Sequence, residues 1–344
     1  MHEEKDVQDF SDLLNGLNDA QREAVLTIDG PVLCLAGAGS GKTRVLTTRI
    51  AYMVRRGIRP NNILAVTFTR KAAEEMRERL SAMIGPEQAQ EIALGTFHSI
   101  GAQILRENAL VAGLEPRFGI ADESDALVRV RRALKMHGIA HGDPEWRPSD
   151  TLERIGQAKL AFVRQALRRH LKQPDKDANV NLLDAYKAGD ENYFRELYQQ
   201  GAVEMSNPMI FMQVYRAYLA EMLKDGMVDF EDLLGMTALL LIQRPQTLKH
   251  YQNLWRYISV DEYQDTDEIQ DCILRLLAGE EKNILAVGDD DQAIYSFRGA
   301  QVENIRTFPE RYEECRVIML EENYRSTPNI LRVANHVLLD QKRP

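Results

Sequence analysis

Three short, unbroken apolar runs stand near the start of the chain: PVLCLA (31–36), ILAVTF (63–68) and IALGTF (92–97). Runs of this length without polar alternation predict strands buried on both faces, as in a parallel sheet. Between them, residues 41–57 and 70–84 carry apolar side chains at helical spacing, so strand and helix alternate from about 17 to 103. From about 104 to 225 that rhythm fades. ESDALVRVRRALK (123–135) and NPMIFMQVYRAYLAEMLK (207–224) predict helices, separated by turns containing Gly, Pro and Asp. The strand signal then returns in YISVDE (257–262), ILAVGD (284–289) and RVIMLEEN (316–323), and a helix-like PNILRVANHVLL (328–339) follows. The economical architecture is one α/β domain, over 1–103 and 226–321, interrupted by an all-helical insertion over 104–225.

Composition narrows the classes. With 344 residues the chain can hold two domains of ordinary size, and 44% hydrophobic with 28% charged residues is the balance of a globular protein. No apolar run approaches the roughly 18 residues of a membrane span, and MHEEKDVQDF lacks the layout of a secretory signal, so a cytoplasmic protein without a membrane partner is expected. Cys34, Cys272 and Cys315 lie far apart with no CxxC pair, which points to buried free thiols rather than zinc or disulfides. A net charge of −9 argues against a nucleic-acid coat protein but leaves room for a local basic and aromatic track. Arg154, Lys159, Arg164, Arg168, Arg169 and Lys172 fall in one helix-like stretch. A solvated face is the ordinary reading of such a run, and a duplex-binding face the sharper one.

The candidate chemistry begins at AGAGSGKT, residues 36–43, which follows a buried-strand pattern and precedes a helical one. That is the context of a phosphate-binding loop. Gly37, Gly39 and Gly41, with Ala38 and Ser40 between them, would let backbone N–H groups turn inward around phosphates at a helix N-terminus. Lys42 would reach the β- and γ-phosphates, and the Thr43 hydroxyl would hold Mg²⁺. The strict pattern opens with Gly where Ala36 stands, a small departure. SVDEYQDT (259–266) supplies adjacent acids at the end of an apolar strand. Asp261 fits a metal-bound carboxylate, and Glu262 fits a base that deprotonates water.

DEYQDT and VGDDDQAIYSFRGA (287–300) closely match motifs II and III of the UvrD/Rep/PcrA group of superfamily 1 DNA helicases. LNDAQREAV (17–25) resembles the group's Q motif, TFTRKAAEEMRERL (67–80) its motif Ia, GTFHSIG (95–101) its motif Ib and ENYRST (322–327) its motif IV. DFEDLL (229–234) resembles a further block, and all of them occur in the family's order. The resemblance implies a RecA-like P-loop NTPase domain 1A with a helical domain 1B inserted, and a chain that from 322 to 344 enters a second motor domain, 2A, cut short before motifs V and VI. It implies ATP with Mg²⁺ as cofactors and an ATP-driven 3′→5′ translocase acting on single-stranded DNA beside duplex, with repair or replication partners unspecified. Gln21 would read the adenine edge, Arg44 and Tyr324 would sandwich the base, Gln292 would sense the γ-phosphate, and Arg325 would act on it as an arginine finger. Tyr295, Phe297 and Phe68 would stack on bases. Thr67, Thr96, His98, Arg70 and Arg298 would supply further DNA contacts. The family commonly has Trp at the position of Phe297 and Asn at that of Arg70. Two other readings stay open: the motor of a RecB- or AddA-like helicase–nuclease, and a module that binds ATP and DNA without coupled chemistry.

Overall fold

A computed structural model describes residues 10–140, 142–172, 181–199, 201, 207–295 and 299–340. They form two compact units. One comprises the chain up to Thr96, Gln252–Asp267 and the chain from Ala278; the other comprises Phe97–Tyr251 and Glu268–Leu277. The strands, in chain order, are β1 Val32–Ala36, β2 Ile63–Thr67, β3 Ala93–Thr96, β4 Gly119–Ile120, β5 Met227–Val228, β6 Tyr257–Val260, β7 Ile284–Gly288 and β8 Arg316–Leu320.

The first unit is built on a six-stranded sheet in the order β3-β2-β6-β7-β1-β8. Every pairing is parallel, with Cys34 of β1 opposite Val287 on one side and Ile318 on the other. The unbroken runs of β2 and β7 lie inside the sheet with every residue buried, whereas IALGTF, expected to be buried on both faces, forms the edge strand β3, where only Gly95 is buried. The edge strand β8 alternates instead, burying Ile318 and Leu320 while Val317 and Met319 are exposed. Helices α1 (Asp19–Leu26), α2 (Lys42–Arg55) and α3 (Arg70–Ile84) belong to the same unit. Val25, Val45, Leu46, Ile50, Met53 and Leu80 close over Val32, Leu285 and Val287. At about 25 cal/mol per Å² of apolar surface, such burial supplies most of the unit's stability. Within this core Arg49 is fully enclosed. It donates to the carbonyls of Ala24 and Ile28 at 2.8 and 3.0 Å and to that of Thr27, which ties α2 to the end of α1.

The second unit is helical. Its main helices are α4 (Phe97–Glu107), α5 (Glu123–Met136), α6 (Pro148–Lys172), α7 (Pro208–Lys224) and α8 (Phe230–Gln243), with β4 and β5 as a two-stranded parallel ribbon. Val130, Ile155, Phe211, Val214 and Tyr218 form its core. Glycine lets α4 and α8 approach closely, because a Cβ on Gly101 would lie 2.7 Å from the Leu233 carbonyl oxygen.

The basic stretch of α6 forms no single face. Lys159 is fully buried, donating to Asp229 Oδ2 at 2.5 Å and Asp232 Oδ1 at 2.8 Å. Arg168 forms a two-pronged pair with Glu268 at 2.6 and 2.7 Å, Arg169 pairs with Glu196, and Arg154 donates to the Glu145 carbonyl. The solvated face that is the ordinary reading of this run describes Arg168 and Lys172, which are exposed, but not Lys159, which two carboxylates enclose. Cys34 and Cys272 are buried free thiols, whereas Cys315 is only half-buried.

Candidate functional site

The glycine loop leaves β1 at Ala36, which is 2% exposed and paired with Leu320 in the strand ladder. A strand position has no need of glycine, which explains why alanine is tolerated there. The need arises further on. Gly39 and Gly41 have φ of 74° and 92°, a region that costs other residues 1–2 kcal/mol or so. A Cβ on Gly41 would also meet the Gln21 amide nitrogen at 2.8 Å. Gly41 is the N-cap of α2 and offers no side chain to its first N–H groups. A helix start without a side-chain cap leaves those donors and the positive end of the dipole for an anion. The Ser40 hydroxyl turns back onto the Gly37 carbonyl at 2.7 Å and stiffens the loop.

One cleft of about 290 Å³ is lined by Ala38, Gly39, Gly41, Lys42, Thr43, Arg44, Arg79, Glu262, Gln292, Tyr324 and Arg325. Residues far apart in sequence thus meet at the loop. Lys42 Nζ donates to Glu262 Oε2 at 2.9 Å. Glu262 has φ 50° and ψ 48°, a left-handed conformation rare for glutamate and often found at functional positions. The segment 323–326 is pinned to the loop: Tyr324 N–H donates to the Gly39 carbonyl at 2.9 Å, and the Asn323 amide donates to the Ala38 carbonyl. Asn323 also accepts from the N–H groups of Arg325 and Ser326, at 2.9 and 2.7 Å.

Behind this rim lies a knot of acids. Asp261, 8% exposed at the end of β6, accepts from Glu262 N–H at 3.1 Å. Burial and the neighbouring Glu262 push its carboxyl up to about 6, against the pull of Lys42. Asp265, not singled out in sequence, is raised to about 6 by the same two causes, and its Oδ1 has no hydrogen-bond partner among the described residues. Buried carboxylates that resist ionisation in the free protein favour a bound cation. Among the described residues no three His, Cys, Asp or Glu side chains form a metal cage. Magnesium ordinarily needs none, resting on one or two protein oxygens plus phosphate and water. The hard oxygen donors of Thr43 and Asp261 fit that demand.

Other expected residues do not line the cleft, although Gln21 packs against its glycine loop. Gln21 is buried with its amide engaged at both ends: Nε2 donates to the Ser40 carbonyl at 2.8 Å and Oε1 accepts from Asn18 N–H at 3.2 Å. An adenine edge would compete with these bonds. Phe68 and Tyr295 stack on each other, centroids 5.0 Å apart and planes 30° apart. Arg70 is exposed at the start of α3, and Thr96 is half-buried at the end of β3. Thr67 is 1% exposed and donates its hydroxyl to the Thr69 carbonyl at 3.0 Å, so it is turned inward. In the helical unit, His98 lies edge-on to Phe230 at 5.6 Å. Phe297 and Arg298 lie outside the described residues. Arg79 was missed in the sequence reading, because a charged residue in the third turn of a helix reads as solvated.

A parallel sheet whose first strand feeds a glycine loop and an uncapped helix, with acids at the end of a neighbouring strand, defines the α/β class of P-loop NTPases. The chain belongs to the UvrD/REP helicase N-terminal domain family, which it matches over residues 17–313. It is 40% identical over 327 residues to the ATP-dependent DNA helicase PcrA of Staphylococcus epidermidis, covering 95% of this chain and 40% of that protein. To the PcrA helicase of Bacillus subtilis it is 41% identical over 328 residues, with the same shares covered. The chain thus spans about 40% of the length of the curated relatives it matches. Among the described residues no helix is long and apolar enough to cross a membrane.

Proposed function

We propose that this chain is the nucleotide-binding part of an ATP-dependent DNA helicase that moves 3′→5′ along single-stranded DNA towards duplex. In domain terms, the α/β unit corresponds to domain 1A, the helical unit to domain 1B, and the chain from 322 to the beginning of domain 2A. The observation that carries the reading is the single cleft where Lys42, Glu262, Gln292 and Arg325 converge on the glycine loop. Names of relatives support the class of activity, since both PcrA proteins are called ATP-dependent DNA helicases.

The chemistry follows from the residues. The triphosphate lies on the N–H groups of the loop and the start of α2. Lys42 is drawn from Glu262 to the β- and γ-phosphates, because a polyanion outcompetes one carboxylate for the ammonium. Glu262, released, accepts a proton from the attacking water. Thr43 and Asp261 hold Mg²⁺, which supplies positive charge to the phosphate oxygens when bound. Arg325 and Arg79 add charge at the cleft, Gln292 responds to the γ-phosphate, and Arg44 and Tyr324 flank the base. Phe68 and Tyr295 form the base-stacking platform, with Arg70, Thr96 and His98 as phosphate or sugar contacts. Thr67 acts only indirectly, through the turn it stiffens.

ATP turnover with and without single-stranded DNA tests the reading, in protein that includes a complete second motor domain. Glu262→Gln is expected to retain ATP binding and to lose at least ~100-fold in turnover, since the amide cannot take the proton. Wild-type turnover that ignores DNA, or a fully active Glu262→Gln, would count against it.

A further inference from the structure

The buried amide of Gln264 lies between two parts of the nucleotide cleft and is not explained by any role assigned so far. It is 2% exposed, in the single turn Tyr263–Asp265 that follows β6. Its Nε2 donates to Glu262 Oε2 at 2.9 Å, the oxygen that also receives Lys42. Its Oε1 accepts from Asp289 N–H at 3.0 Å. Asp289 in turn accepts from the Gln292 side chain and, at 3.1 Å, from Asp291 N–H. One side chain therefore connects the carboxylate at the end of β6 to the loop after β7 that carries Gln292.

The fold makes room for this contact. A Cβ on Gly288 would lie 2.3 Å from Gln264 Oε1 and 2.7 Å from Ile305 Cδ1, so any side chain there would displace the amide. The φ of Gly288 is not positive, which leaves close approach as the reason for glycine at this position. Glu262 gains a fixed partner from the arrangement. Its left-handed backbone is unfavourable by itself, and its pairing with Lys42 lasts only until a phosphate claims the ammonium. The Gln264 bond does not involve that ammonium.

We propose that Gln264 is a positioning residue for hydrolysis. It holds the Glu262 carboxylate in its water-activating orientation once Lys42 has moved to nucleotide, and it passes the position of the Asp289–Gln292 loop to that carboxylate. The proposal rests on the reading of Glu262 as the base. A donor is required on the Glu262 side and an acceptor on the Asp289 side, and a primary amide offers both, on separate atoms and without charge. A carboxylate here would repel Glu262, and an apolar residue would leave Asp289 N–H unpaired.

The experiment is a double-mutant cycle on ATP turnover in protein with a complete second motor domain, using Gln264→Met, Glu262→Gln and the double variant. Gln264→Met is expected to lower kcat by ~100-fold, the scale of a misplaced reacting group, while KM and fluorescent-ATP affinity stay within about 3-fold. In the Glu262→Gln background the same change is expected to have no further effect on residual turnover, because Gln264 acts through Glu262. Wild-type kcat in Gln264→Met alongside an inactive Glu262→Gln overturns the proposal. So does an additive loss in the double variant, or a fall in ATP affinity and melting temperature that accounts for the lost turnover. An active Glu262→Gln overturns instead the reading beneath it, and is seen separately. If Gln264→Met does not fold, Gln264→Asn takes its place. It keeps both polar ends of the amide but withdraws them by one methylene, and the same split between kcat and KM is expected.

Discussion

In the free protein Lys42 and Glu262 pair with each other across the cleft at 2.9 Å. With Lys42 so engaged, Arg44, Arg79 and Arg325 are the other cationic side chains on the cleft wall. Arg79 is exposed on α3, in a unit whose neighbouring charges Glu74, Glu75 and Glu78 would otherwise make it an ordinary surface residue. On the proposed reading, its place on the cleft would give it a phosphate to meet. Arg79→Ala is expected to weaken nucleotide binding by about 1.5–3 kcal/mol, the worth of a hydrogen bond to a charged group, with little change in melting temperature. Titration with fluorescent ATP checks this, and unchanged affinity would remove Arg79 from the site. The glycine loop and the acidic pair were legible in sequence because their residue types and spacing follow from phosphate chemistry. Arg79, Asp265 and Gln264 were not: Gln264 acquires its meaning from Asp289 after another strand, Arg79 from the cleft it lines, and Asp265 from burial beside Glu262.

The helices and interior strands were legible for a different reason: an unbroken apolar run favours the middle of a sheet, although IALGTF forms the edge strand β3, and a 3.6-residue period has one apolar face. The start of α8 shows where such reasoning stops. Asp229 and Asp232 form a capping box there, each accepting the other's N–H, at 3.0 and 2.9 Å. DFEDLL therefore reads locally as a helix start. Nothing local says that Lys159, from α6, is inserted between the two carboxylates, or that Tyr218 and Tyr186 donate to them at 2.8 Å each. Burial opposes the Lys159 ammonium, but the two aspartates outweigh it and hold its pKa well above the usual lysine value. Burial opposes ionised Asp229 as well, and Lys159 prevails and lowers it. For Asp232, burial and the Asp229 charge win, raising it to about 7. The raised folded value means that stability from Asp232 is full below its unfolded pKa near 4 and is lost as pH rises through about 7. Removing the ammonium extends that behaviour to both acids. Lys159→Met is thus expected to cost about 3–5 kcal/mol near neutrality, the usual penalty for orphaning a buried charge. The deficit should be smaller at pH 5 than at pH 8, as urea unfolding at both values would reveal. A deficit independent of pH would mean that Lys159 fills space rather than balancing charge.

Across the whole chain, a parallel order of strands decides where the chemistry gathers. Because β6, β7 and β1 are neighbours running in one direction, their carboxyl ends present Asp261 and Glu262, Asp289, and the glycine loop side by side. Ligands of open α/β sheets collect at that end for this reason. The adjacent strand β2 ends in the same direction, and Phe68 follows it. Its ring stacks on Tyr295, three residues beyond Gln292 of the nucleotide cleft. On the proposed reading, a base that enters this stack would disturb a ring joined by a short segment to a cleft-lining side chain, which would give a physical route from DNA to ATP. Phe68→Ala is expected to lose about 1–3 kcal/mol of single-strand affinity, the worth of one stacked base. Basal turnover should be unchanged, since no cleft residue is touched, while the DNA-stimulated part falls. If the two rings serve packing alone, the same change should instead lower melting temperature and reduce basal and stimulated turnover alike, as a core truncation costing about 3–5 kcal/mol would. Half-burial of Phe68 argues against so large a cost. Thermal melting, single-strand titration and turnover with and without DNA on one preparation separate the outcomes. Full DNA stimulation in a stable Phe68→Ala protein would break the link between the stack and the nucleotide.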